Sequence, residues 1–136
     1  KFRISLKKQS QDNRWGVIMI QINTAFNPFR MKASRSEPVN LQVDLKNDGD
    51  EGTMLTLEVL LSKQLSFERT GYKTEARAKI DKLGPGERKR FDFVIFPKAG
   101  TRTEDQPVEI KVTDHYNDYN HVRKEYSKRL SLRVDK

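Results

Sequence analysis

The 136-residue chain contains no cysteine, which excludes disulfide bridges, thiolate metal sites and cysteine nucleophiles together. It also lacks any apolar run near the roughly 20 residues that a membrane-spanning helix needs. The longest such piece is Val17-Ile18-Met19-Ile20, and nothing resembles the apolar stretch of a signal peptide. The first residue is Lys1 and not Met, which fits an excised or processed form. There are only two histidines, no Gly-x-Ser-x-Gly elbow and no phosphate-cradling glycine loop, so no catalytic constellation is legible and the expectation is that the chain is not an enzyme. Helical periodicity is missing as well. No segment sustains an apolar i, i+3, i+4, i+7 stripe over three turns.

What the chain does have is period-two alternation punctuated by glycine and proline. Val39, Leu41, Val43 and Leu45 alternate with polar residues, and so do Leu55, Leu57, Val59 and Leu61. The pattern recurs in Ala76/Ala78/Ile80, Phe91/Phe93/Ile95, Val108/Ile110/Val112 and Leu130/Leu132/Val134. A strand turns successive side chains to opposite faces, so each set predicts one face on a core and one in water. The predicted strands are 39–46, 53–62, 74–82, 88–96, 107–113 and 125–134. Asn47-Asp48-Gly49-Asp50 and Leu83-Gly84-Pro85-Gly86-Glu87 are the turn signals between them. The fold class read from this is all-β: an immunoglobulin-like antiparallel two-sheet sandwich of roughly 7–9 strands.

Upstream, Phe2-Arg3-Ile4-Ser5-Leu6 and Trp15 to Ile22 read as two strands joined by a polar loop, the second apolar on both faces and so a candidate central strand. Asn27-Pro28 breaks it, and Phe29-Arg30-Met31-Lys32-Ala33 begins another short alternating segment. The expected organisation is one domain over 1–136, in which 1–28 is an N-terminal strand pair packed on or extending a core at 29–136. The longest connection, Lys63 to Lys73, suits a crossing between two sheets. Leu60, Val94 and Phe96 put apolar residues on outward faces, which predicts a cover from the N-terminal pair, the 63–73 connection or another chain.

The order of the turns resembles that of archaeal and bacterial immunoglobulin-like modules of the cell-adhesion-related (CARDB-like) type. The residues that carry it are Lys46-Asn47-Asp48-Gly49-Asp50, Leu83-Gly84-Pro85-Gly86-Glu87, Phe91 to Phe96 and Val112-Thr113-Asp114, within about residues 29–136. The chain departs from that type in the Lys-, His- and Tyr-rich stretch Tyr116 to Lys128. The resemblance implies a prokaryotic module with a habit of protein contacts at the cell surface, and no reaction.

With 27 Lys and Arg against 19 Asp and Glu, the net charge is +8 and the isoelectric point about 9.8, a bias towards polyanions. Arg88 and Arg90, with Arg129 and Arg133, lie on outward positions and would make a basic stripe if their strands were neighbours, with Tyr116 and Tyr119 as aromatic contacts. These six residues are the candidate interaction surface. Asp44, Asp48, Asp50 and Glu51 gather carboxylates at the first turn, and Asp48, Asp50 and Glu51 are weak calcium candidates. Asn-Asp-Gly-Asp also explains itself as a turn that bonds to its own backbone. Asp114 to His121 holds both histidines, but without the ligand spacing of zinc or calcium sites it reads as a loop with a recognition surface. The expected function is a non-catalytic protein-contact module without cofactor, its partner another protein and its oligomeric state open. The alternatives are a basic β-domain that binds nucleic acid or another polyanion, and a calcium-binding module.

Overall fold

Alternation becomes two packed layers. The computed structural model describes residues 19–33, 37–70, 72–98, 103–116 and 118–135, so the predicted strand at Phe2 to Leu6 and most of that at Trp15 to Ile22 lie outside the described residues. The strands are β1 (Ile20–Asn27), β2 (Arg30–Lys32), β3 (Val39–Asn47), β4 (Thr53–Leu61), β5 (Leu65–Ser66), β6 (Glu75–Leu83), β7 (Arg88–Pro97), β8 (Asp105–His115) and β9 (Val122–Asp135). They form a four-stranded sheet in the order β1-β3-β7-β5 and a five-stranded sheet in the order β2-β9-β8-β4-β6. The fold is an all-β, immunoglobulin-like sandwich.

The inward sets read from the alternation meet between the sheets. Val39, Leu41, Val43 and Leu45 of one sheet and Leu55, Leu57, Val59, Val108, Ile110, Val112, Leu132 and Val134 of the other are almost entirely shielded from water. Burial of each such side chain contributes about 1.5–3 kcal/mol, which is why strict alternation, and not any single contact, holds the layers together. Phe91, Phe93 and Leu130 are half-buried against this core.

Two expectations need correction, and the expected crossing gains a strand of its own. The candidate central strand is realised as β1, which runs on to Asn27 and pairs only with β3, so among the described residues it is the edge of its sheet. Met19 and Ile20, on opposite faces, are both buried as the sequence suggests, and one-sided alternation takes over further along, where Asn23, Ala25 and Asn27 are exposed. The sheets are not wholly antiparallel: β2 runs parallel to β9, with Arg30, Met31 and Lys32 beside Arg133, Val134 and Asp135. Met31 is fully buried there. The connection from Lys63 to Lys73 contains β5, which crosses to the four-stranded sheet, pairs with Phe96 and Pro97 and buries Leu65, before the chain returns to the other sheet at β6. That crossing covers part of the outer apolar face. Arg69 lies 4.8 Å from the ring centre of Phe96, while Val94 stays 45% exposed.

Candidate functional site

Two bulges at one end of the five-stranded sheet shape its most polar region. Between the pairs Thr53/Leu83 and Leu55/Ile80, β6 carries Asp81 and Lys82 against the single Met54 of β4. Between Asp114/Lys124 and His115/Val122, β9 carries Arg123 as an extra residue. A bulge bends its strand and re-aims the local side chains. Here both turn side chains towards the same open hollow of about 340 Å³, lined by Gly52, Thr53, Met54, Asp81, Lys82, His115, Tyr116 and Arg123.

Beneath the hollow, Asp114 is completely buried and accepts a hydrogen bond from the Thr53 hydroxyl. Arg123 places Nε 3.9 Å from its second oxygen and reaches Glu51 at 3.6 Å. Desolvation raises the Asp114 pKa, and the Thr53 hydrogen bond and the charges of Arg123, His115 and Lys124 only partly oppose it. His115 is buried next to it, with Nε2 2.7 Å from the Thr56 hydroxyl. Among the described residues, Asp114 Oδ2 and His115 Nδ1 meet no hydrogen-bond partner.

The loop after β8 is tied down through its aromatic residues. Tyr119 sits edge-on to His115 at 5.3 Å and donates its hydroxyl to Asp81 at 2.5 Å, with the Lys79 ammonium 4.7 Å from its ring centre. The bond to Asp81, more than desolvation, pushes the Tyr119 phenol up to about 12. Tyr116 packs on His121 at 5.1 Å, and His121 Nδ1 is 2.7 Å from Asp118, whose pKa that contact lowers. Tyr116 therefore lines the hollow while Tyr119 anchors the loop.

The basic residues do not form one stripe. Arg88 and Arg90 stand on β7, on the outer face of the four-stranded sheet, whereas Arg129 and Arg133 stand on β9, on the outer face of the five-stranded sheet. The stripe required neighbouring strands, and the core separates these two. Carboxylates accompany most of the cations: Arg88 is 3.9 Å from Asp44, Arg90 3.3 Å from Asp92, and Arg133 3.6 Å from Asp105 and 3.1 Å from Asp135. Arg129 borders a second hollow with Asp105, Pro107 and Ser131.

The first turn is organised by Asn47. Its amide donates to the carbonyls of Glu51 at 2.7 Å and Leu83 at 2.9 Å, and its Oδ1 accepts from the Gly49 amide at 2.8 Å. Asp48 is 3.3 Å from Lys46 and Glu51 is engaged by Arg123. Among the described residues, no three His, Asp or Glu side chains are grouped so as to hold a metal ion. Asn47 was legible as a turn residue that bonds to its own backbone, whereas its bond to Leu83 and the contacts of Thr53 with Asp114, Tyr119 with Asp81 and Arg123 with Glu51 join residues far apart in the chain.

The stacked sheets thus define an immunoglobulin-like β-sandwich domain. The chain is similar in structure to part of native alpha-2-macroglobulin from Escherichia coli, in a crystal structure spanning domain MG7 to the C-terminus. The TM-score is 0.59 at 17% identity, with 86% of this chain covered and 16% of that one. At this identity the likeness is one of fold. No family model and no curated protein matches the chain.

Proposed function

We propose that the chain is a non-catalytic module that contacts another protein, one immunoglobulin-like unit of the kind that makes up a small share of a longer chain. The observation that carries this reading is the division of the basic residues between two opposite outer faces, with carboxylates beside Arg88, Arg90 and Arg133. A polyanion is held by a continuous run of uncompensated cations that neutralises several phosphates at once. Mixed, locally paired charge suits a protein partner, where it sets register and orientation more than raw affinity. The turn order shared with cell-adhesion-related modules points the same way and favours an extracellular or cell-surface setting.

Chromatography on immobilised heparin and on duplex DNA tests the reading. The expected result is weak retention that ends at modest salt. Tight retention falling steeply with salt, in the manner of six or more phosphate contacts, would overturn it in favour of the polyanion alternative.

A further inference from the structure

β9 is 14 residues long, and its two edges are unequally used. On one side β8 pairs with it from Val122 to Arg133, while on the other β2 pairs only with Arg133–Asp135. Among the described residues, the second edge from Val122 to Leu132 has no neighbour in the sheet.

Burial along this edge is uneven. Val108, Ile110 and Val112 of β8 are fully buried, yet their partners across the pair, Leu130, Lys128 and Tyr126, are half-buried. The inward row therefore reads Lys124, Tyr126, Lys128, Leu130, a cation alternating with an apolar group. Lys128 reaches across the sandwich to donate to the Ile22 carbonyl of β1 at 3.3 Å, and Lys124 lies 5.0 Å from the Tyr126 ring centre. Glu125, Ser127, Arg129 and Ser131 form the outward row.

From Lys124 to Arg129 this edge has three cations and one carboxylate, Glu125, while Arg123 is already engaged by Asp114 and Glu51. Lysines on an edge strand, inward-pointing ones above all, discourage pairing with a like-charged strand, so a second copy of this chain is a poor occupant. Deepening the protein-contact reading, on which this rests, we infer that β9 receives an extended acidic segment of a partner protein by strand addition. Main-chain hydrogen bonds then supply affinity, and alternate side chains supply specificity. Its inward row would set carboxylates against Lys124 and Lys128 and small apolar side chains against Tyr126 and Leu130, an acidic residue at every fourth position.

The probe is a capped peptide about ten residues long, the repeat Asp-Ser-Val-Ser, with a control that has Lys for each Asp. Peptide is added to isotope-labelled protein, and amide shifts and hydrogen exchange are read by NMR. The acidic peptide is expected to shift amides of Val122–Leu132, slow exchange at those pointing away from β8 by about tenfold or more, and bind about tenfold more tightly than the control. Lys124→Glu with Lys128→Glu should reverse the preference between the peptides. The wild-type comparison stands even if that variant fails to fold. Equal binding of both peptides, no binding at millimolar peptide, or shifts confined to other surfaces would overturn the inference. So would outward amides already protected in the free protein, or self-association through this edge, since either puts another occupant there. The heparin and DNA retention is read separately, so failure of strand addition is distinguishable from failure of the protein-contact reading.

Discussion

Asn47 donates its side-chain amide to the carbonyl of Leu83, 2.9 Å away, joining the end of β3 to the end of β6 and thereby one sheet to the other. The turn before β7 docks on the same residue, with the Gly86 amide donating to the Asn47 carbonyl at 2.7 Å and the Asn47 amide donating to Glu87 at 3.0 Å. Gly86 has φ +79°, a conformation that L side chains rarely adopt, so glycine is needed to deliver its amide there.

Asn47→Ala leaves two carbonyls and the Gly49 amide without their partner and is expected to cost about 2–4 kcal/mol in chemical denaturation. Because Asn47 organises this turn and Lys46 and Arg123 engage Asp48 and Glu51, calcium at millimolar concentration should leave the melting temperature of the wild type unchanged. A calcium-dependent rise reversed by chelator would restore the calcium alternative.

Asp114 gives a pH signature of definite sign. Its folded pKa is raised by desolvation, so the folded protein takes up this proton at a higher pH than the unfolded chain does. Its contribution to stability is fully present below the unfolded value, about 3.9, and is lost as pH rises through the folded value. Measured against pH in urea, the stability of Asp114→Asn relative to wild type should therefore improve as pH rises through that window. A difference independent of pH would remove the desolvated carboxylate from the account.

Tyr119 should ionise late. Ultraviolet titration is expected to place one tyrosine near 12, and Asp81→Ala should return it towards the ordinary value of about 10, because the hydrogen bond to Asp81 is the main cause of the shift. The folded phenol is the more basic one, so the anchoring it provides is complete below pH 10 or so and disappears as pH rises through about 12.

The layers were legible because burial is local in a strand. Val39 to Leu45 and Val108 to Val112 announce their buried face by spacing alone, and the structure extends those strands by only a few residues. Membership of a sheet is not local. Arg90 and Arg129 have similar outward positions in similar patterns, and only the pairing of β7 with β3 and of β9 with β8 sends them to opposite sides. The start of β9 was missed for a related reason: the bulge at Arg123 interrupts the alternation that would have marked it. The polar end of the five-stranded sheet was hidden too, since Thr56 and His115 meet from 59 positions apart in the chain.

The separation of the basic residues can be measured as a distance. With no cysteine in the chain, Arg90→Cys and Arg129→Cys give two unique sites for spin labels on surface strands. Sheets stacked about 10 Å apart, with both labels pointing away from the core, predict a pulsed electron-electron distance of roughly 20–30 Å. A distribution centred below about 15 Å would place both residues on one face, form the continuous basic stripe, and contradict the account.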